Sequence, residues 1–257
     1  MKMPTNAFKA ALKAKKKQVG LWVSTASPMI AEIVAGAGYD WLCVDMEHSP
    51  GDVMTAMTQL QAIAPHTSAI VRPPWNDTVV VKRLLDIGAP GLLFPMVQTV
   101  TEAEAAVAAT RYPPEGVRGV AGAMRGSQWG RYSDYGARVA DETVVILQVE
   151  TLSAMAIADQ IAAVNGVDGV FFGPADIAAD MGMLGQPLHA DVWAKIMPVA
   201  QKLMNQGVPV GTLVTDPALA TELLNKGFTF VAVATDTGLL AKAADGLLAQ
   251  VKAGMEG

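Results

Sequence analysis

Short apolar blocks recur along the chain, each succeeded by a longer stretch with helical spacing. The blocks are Val19–Val23, Trp41–Val44, Ala69–Val71, Leu92–Phe94, Val144–Val149, Gly169–Phe172, Val208–Leu213 and Phe230–Val233. They are mostly apolar without strict alternation, as expected of strands covered on both faces. Between them, Pro28–Ala35, Val53–Ile63, Thr78–Asp86, Glu102–Thr110, Leu152–Ala163, Ala190–Asn205, Pro217–Asn225 and Leu239–Val251 read as helices. Gly38, Gly88, Gly166, Gly207 and Gly227 each stand just before a strand, where glycine suits a helix end and the turn back into the sheet. Eight such repeats predict an α/β protein built as a single (β/α)8 TIM barrel, and 257 residues is a usual length for one. A doubly wound open sheet is the competing fold, but no Gly-x-Gly-x-x-Gly comes after the first strand. No linker or composition break divides residues 1–257, so one domain is expected.

One stretch breaks the rhythm. Arg111 to Asp141 is rich in glycine, carries five arginines and shows no clear period. A segment this long without a pattern reads either as a lid or interface loop or as a poorly marked helix pair.

Bulk properties narrow the function. The chain is 51% apolar with a net charge of −5, which argues for a globular protein and against nucleic acid or an anionic membrane surface as partner. Cys43 is the only cysteine and lies in an apolar run, so it reads as a small buried hydrophobe and excludes a disulfide framework. The lysines near the start precede an apolar run too short for a signal peptide. They read as a polar first helix capped by Asn6. No stretch approaches the ~20 apolar residues of a membrane span, so a soluble cytoplasmic protein is expected.

Barrel active sites are built from residues at and just beyond the C-terminal ends of the strands. Here those positions hold Asp45, Glu47 and His48 after the second block, Arg72 after the third, Gln98 after the fourth, Gln148 and Glu150 at the fifth, Pro174, Ala175 and Asp176 after the sixth, Thr212 and Thr215 at the seventh, and Asp236 after the eighth. The period of two places Ile146, Gln148 and Glu150 on one side of their strand. A carboxylate facing the barrel interior is costly unless paired or metal-bound. Glu150 and Asp176, without histidine or cysteine beside them, suit a hard ion such as Mg²⁺ or Mn²⁺ with water and substrate completing the shell. Their plainer roles are helix caps or partners of Arg72. His48 is a candidate general base. Arg72 is a candidate clamp for a carboxylate or enolate oxygen, its plainer role a salt bridge to Asp45 or Glu47. No lysine stands after a strand, which argues against imine or pyridoxal chemistry and leaves a metal as the electron sink.

Several pieces occur in order: Gly38 through Asp45-Met46-Glu47-His48, Val71-Arg72-Pro73, Leu92 to Val97, Tyr112 to Val120, Gln148-Val149-Glu150 and Phe172-Gly173-Pro174-Ala175-Asp176. Together, from about Phe8 to about Ala249, they resemble the HpcH/HpaI aldolase family. The resemblance implies a metal-dependent class II aldolase that reversibly cleaves a 4-hydroxy-2-oxo acid to pyruvate and an aldehyde. It implies Glu150 and Asp176 as ligands of Mg²⁺, Mn²⁺ or Co²⁺ and Arg72 as stabiliser of the enolate. Gln148, Pro174 and Ala175 would hold pyruvate, and His48 would move the proton of the aldol hydroxyl. Asp45 would orient metal-bound water or His48. Asp86 matches an aspartate linked to the histidine, yet it falls near the end of the third of these helices, where only a subunit interface would bring it to a site. The family also implies a homohexamer, for which the apolar C-terminal helix offers a packing surface. Met46 and Ala234 stand where the family often has glycine, and Met46 is expected to narrow the aldehyde side. An acyl-CoA lyase, with the arginines of 111–141 as a nucleotide path, or an oxaloacetate decarboxylase is the alternative on the same barrel. A non-catalytic 2-oxo-acid sensor is a third.

Overall fold

The computed structural model describes residues 1–255. Eight parallel strands close into a barrel in chain order: β1 (Gln18–Val23), β2 (Trp41–Asp45), β3 (Ser68–Arg72), β4 (Gly91–Phe94), β5 (Val144–Val149), β6 (Gly169–Phe172), β7 (Val210–Leu213) and β8 (Phe230–Thr235), with β8 pairing back onto β1. The helices are α1 (Ala7–Lys13), α2 (Pro28–Ala35), α3 (Val53–Ile63), α4 (Thr78–Asp86), α5 (Val100–Thr110), α6 (Tyr135–Glu142), α7 (Leu152–Ala156), α8 (Ala158–Ala162), α9 (Pro174–Asp180), α10 (Ala190–Asn205), α11 (Pro217–Lys226) and α12 (Asp236–Met255). None among the described residues is long and apolar enough to cross a membrane.

The strands are apolar on both faces because two cores flank them. Outward residues such as Leu42, Val44, Val71, Leu147 and Phe172 pack under the helices. Inward residues Trp22, Trp41, Cys43, Ile70, Leu93, Ile146, Phe171 and Phe230 fill the barrel. Gly20 and Gly211 leave the room that the Trp41 and Phe230 rings occupy, since a Cβ at either would lie inside those rings. Short polar side chains begin the helices: Ser27, Asp52, Asp77, Thr99, Thr151 and Asp216 each accept a backbone N–H of the next turn.

The first helix differs from the polar one expected. Asn6 does cap it, accepting from Lys9 N, but Phe8 and Leu12 are buried beneath the barrel. The Phe8 ring sits 5.4 Å from Trp41 and meets Phe230 edge-on at 5.8 Å. Lys9 is buried as well, its Nζ 2.9 Å from Asp168 and donating to the Thr143 carbonyl. This helix thus plugs the N-terminal end of the barrel and leaves the opposite end open.

Residues 111–141 turn out to hold a 3₁₀ turn at Arg125–Ser127 and most of helix α6. They lie at the N-terminal end of the barrel rather than over its own mouth. Arg118 is 0% exposed and pairs with Asp86 at 2.9 Å, and Arg125 donates to the Ile87 carbonyl. Arg138 binds Glu142 and the Met3 carbonyl. These three of the five arginines are thus engaged within the chain. The helix expected over Leu152–Ala163 breaks at Ile157 into α7 and α8. Helix α9, which no periodic pattern announces, starts at Pro174.

Candidate active site

The interior ladder carries the polar residues to the mouth. Trp22, Cys43, Ile70 and Ile146 point inward, so Asp45, Arg72 and Gln148, two residues further on, point inward as well and stand one layer higher. The pairing fixes their neighbours: Cys43 is level with Ile70, Asp45 with Arg72, and Gln148 with Phe171. Asp45, Arg72, Gln148 and Glu150 are all buried at the open end.

Asp45 is the hub of the β1–β3 side. Its Oδ1 and Oδ2 accept from Arg72 Nε and Nη2, both at 2.8 Å, in a two-pronged pair. Oδ1 also accepts from the Glu47 and His48 backbone N–H groups at 3.1 and 3.5 Å. One carboxylate therefore fixes both the guanidinium and the turn that carries His48. Glu47 takes the third nitrogen, Nη1, at 2.8 Å, and the Trp22 ring lies 5.4 Å from the guanidinium carbon. Burial works against the charge on Arg72, but the Asp45 hydrogen bonds and the two carboxylate charges outweigh it and raise its pKa. His48 stands at the rim, its side chain 70% exposed and Nε2 3.9 Å from Glu47 Oε1.

The β4–β6 side holds the other acids. Glu150 is 2% exposed. Its Oε1 accepts from Met96 N at 2.8 Å and its Oε2 from Gln148 Nε2. Met96 adopts φ of 51°, a left-handed conformation that costs a methionine of the order of 1 kcal/mol and is held by this contact. Asp176 lies in the first turn of α9, exposed to the mouth and close enough to raise the pKa of Glu150. Gly173 seats Glu150 against that turn, because a Cβ there would collide with Oε2 of Glu150. Pro174 and Ala175 open α9, whose first N–H groups have no intrahelical acceptor.

The plainer roles of the two acids are not what the structure gives. Arg72 pairs with Asp45 and Glu47 instead. Thr151 caps α7, and α9 has no side-chain cap. Burial pushes the Glu150 carboxyl up to about 7, the Met96 N–H offsets part of this, and the neighbouring Asp176 charge adds to it. No lysine or arginine among the described residues pairs with Glu150 to offset these effects. Gln148 Oε1 is also buried without a partner among the described residues. Oxygen donors of this kind fit a hard divalent ion. No group of three or more His, Cys, Asp or Glu poised for a metal occurs among the described residues, so such an ion would take Glu150 and Asp176 and fill its shell with water and substrate.

One expected role changes, Asp86 stands at the far end of the barrel as its place in the sequence predicts, and one unassigned residue finds a place. Met46 does not face the mouth: Asp45 points inward, so Met46 points outward and is buried in the core beneath the helices. Within one chain, Asp86 is remote from the other site residues, bound to Arg118 between the Tyr112 and Tyr135 rings at the N-terminal end. Asp236, to which the sequence gives no role, is buried and accepts from Ser24 and Thr25 at the mouth.

The chain matches the family described as HpcH/HpaI aldolase/citrate lyase over residues 18–243. It is 51% identical over 247 residues to the 4-hydroxy-2-oxo-heptane-1,7-dioate aldolase of Escherichia coli, covering 95% of this chain and 94% of that protein. Among solved structures, an HpcH/HpaI aldolase/citrate lyase family protein from Burkholderia cenocepacia J2315 superposes with a TM-score of 0.92 at 39% identity, over 96% of this chain and all of that one (100%). The HpcH/HpaI aldolase of Desulfitobacterium hafniense DCB-2 gives a TM-score of 0.86 at 31% identity, over 95% and 96% of the two chains. A closed eight-stranded barrel, a strand-end acid–base set and a match spanning most of the chain agree: this protein belongs to the HpcH/HpaI aldolase/citrate lyase family.

Proposed function

We propose that this protein is a class II aldolase of the cytoplasm, one domain over 1–257, that reversibly cleaves a 4-hydroxy-2-oxo acid to pyruvate and an aldehyde. The observation that carries the reading is the division of four acids around one guanidinium. Asp45 and Glu47 are engaged by Arg72, while Glu150 and Asp176 have no cation among the described residues. In this reading Glu150 and Asp176 hold Mg²⁺, Mn²⁺ or Co²⁺, which when bound supplies a Lewis acid for the 2-oxo group. Arg72, pre-set by Asp45, stabilises negative charge as it develops on the 2-oxo oxygen during carbon–carbon cleavage. Gln148 and the opening turn of α9 at Pro174 and Ala175 hold the pyruvate portion. His48 takes the proton of the 4-hydroxyl, with Asp45 fixing the backbone of its turn. The 51% identity to an aldolase named for a 4-hydroxy-2-oxo diacid supports this substrate class.

The test supplies 4-hydroxy-2-oxo acids of several lengths with Mg²⁺ and couples pyruvate to lactate dehydrogenase. EDTA-sensitive pyruvate is the expected result, and its absence with every length would refute the reading. We further propose a homo-oligomer, a hexamer as the family resemblance implies. Helix α12 leaves Leu239, Leu240, Leu247, Leu248 and Val251 exposed, a surface that packing between copies would cover. Replacing Leu247 and Leu248 by serine is then expected to shift the species seen by light scattering to a smaller one. An unchanged mass would refute a role for α12.

A further inference from the structure

We propose that Asp236 is a positioning residue of this site, acting through Ser24 on the Asp45–Arg72 pair; its bearing on catalysis rests on the functional reading above. Asp236 comes directly after β8 and is the only buried residue of α12. Its carboxylate meets four donors. Oδ1 accepts from Ser24 N and Thr237 N, both at 2.8 Å, and Oδ2 from Thr25 N at 3.1 Å and Thr25 Oγ1 at 2.6 Å. No lysine, arginine or histidine pairs with it among the described residues, so backbone and hydroxyl donors alone offset its burial. Three of the four donors belong to the turn that leaves β1.

The sheet brings Asp236 to that turn by an irregularity. Gly20 is level with Ala232, yet Trp22 is level with Thr235, so β8 carries one extra residue along this seam. Such a bulge re-aims the side chains beyond it. The ladder between β1 and β8 ends at Trp22 and Thr235, and the next residue, Asp236, takes over the connection by clasping Ser24 and Thr25. Ser24 in turn donates its hydroxyl to Asp45 Oδ2 at 3.4 Å, the same oxygen that accepts from Arg72 Nη2. A continuous path of polar contacts therefore runs Asp236, Ser24, Asp45, Arg72 across the ends of β8, β1, β2 and β3. Trp22, two residues before Ser24, stacks beside the same guanidinium. Ser24 of the clasped turn and Trp22 of the strand leading into it thus both touch the Asp45–Arg72 pair.

An amide at position 236 has one acceptor oxygen and turns N–H groups toward donors, so it cannot satisfy all four. Asp236→Asn is expected to lower kcat for pyruvate formation about tenfold while leaving Mn²⁺ affinity unchanged. Ser24→Ala keeps the backbone N–H of residue 24 on Asp236 but removes the hydroxyl link to Asp45. It is expected to lower kcat about threefold at an unchanged melting temperature. In the double variant, Asp236→Asn should cost less than it does alone, because the shared path is already cut. A readout independent of turnover is the rate at which phenylglyoxal labels Arg72, measured by peptide mass spectrometry. Both single variants should raise it about threefold or more. Wild-type labelling and wild-type kcat in Ser24→Ala, or fully additive losses in the double variant, would overturn the proposal, and Ser24→Ala decides it even where Asp236→Asn fails to fold. A wild-type protein inactive on all 4-hydroxy-2-oxo acids would instead sink the functional reading, with the labelling still deciding whether Asp236 positions Arg72.

Discussion

Gly173→Ala is the substitution that most directly probes the seat of Glu150. The glycine has φ of −95° and ψ of 88°, so its backbone does not itself demand glycine. The demand comes from space. An added Cβ would stand 2.9 Å from Glu150 Cβ and 3.2 Å from Gln148 Nε2, and closer still to Glu150 Oε2. The Glu150 carboxylate can swing aside, but its Cβ belongs to the residue next to β5 and moves only with the main chain, so relief shifts both and displaces the carboxylate by about 1 Å. A misplacement of that size costs about 100-fold in turnover where geometry carries the chemistry. The fold suffers less. Overpacking one methyl costs about 1–3 kcal/mol, partly offset by about 0.4–1 kcal/mol from the stiffer unfolded chain. The variant should therefore fold, with kcat/KM for pyruvate formation down about 100-fold and Mn²⁺ affinity reduced. Gly38→Ala is the control: φ of 93° strains it, yet no atom lies within 4 Å of the added Cβ, so stability falls and turnover does not. Coupled pyruvate release, metal titration and thermal melts separate the two. Wild-type turnover and metal affinity in Gly173→Ala would refute the idea that Glu150 is held at a required position.

Other substitutions reach the remaining parts. Arg72→Lys offers one ammonium where Asp45 and Glu47 are met by a three-nitrogen fork, so kcat/KM should fall about 100- to 1000-fold with metal affinity retained; a loss under about threefold would remove Arg72 from the chemistry. Asp86→Asn leaves the fully buried Arg118 without its carboxylate and should cost about 3 kcal/mol in denaturant unfolding. A fall in kcat well below the melting temperature would instead show that Asp86 serves a site across an interface, as the family resemblance implies. Tyr112 bears on alkaline stability, because burial pushes its hydroxyl from the usual 10.0 up to about 12 despite the nearby Arg118 charge. The folded state resists ionisation, so this contribution is intact below pH 10 and is lost as pH rises through about 12. Tyr112→Phe should lose less stability over that interval, and identical pH profiles would refute it.

Much of the barrel was legible because its strands are unbroken apolar blocks. Where two cores flank a sheet, position along the strand alone tells which residues face the mouth. Ile146 facing inward placed Gln148 and Glu150 inward, and the same step gives Arg72 from Ile70 and Asp45 from Cys43. That logic also contradicts the role expected of Met46, since a residue next to an inward Asp45 must point outward. Helix α9 has no periodic signature because Gly173-Pro174 reads as a turn, although proline is favoured in a first helical turn and marks this start.

The least legible features depend on register between distant strands. Glu150 and Met96 lie far apart in the chain, and only the β4–β5 pairing, Phe94 level with Leu147, brings the Met96 N–H onto the carboxylate. Met96 adopts its left-handed turn for a partner that no local signal announces. Asp236 is the stronger case. Nothing in Phe230–Thr235 marks a bulge: the run has no glycine or proline and reads as an ordinary strand. Without the extra residue, Trp22 would lie level with Ala234 and Asp236 with Ser24 instead of Val23, a one-residue slip that turns its side chain to the other face of the sheet. A single irregularity, invisible to periodicity, thus decides whether the acid after β8 joins the Arg72 clamp or merely begins a helix.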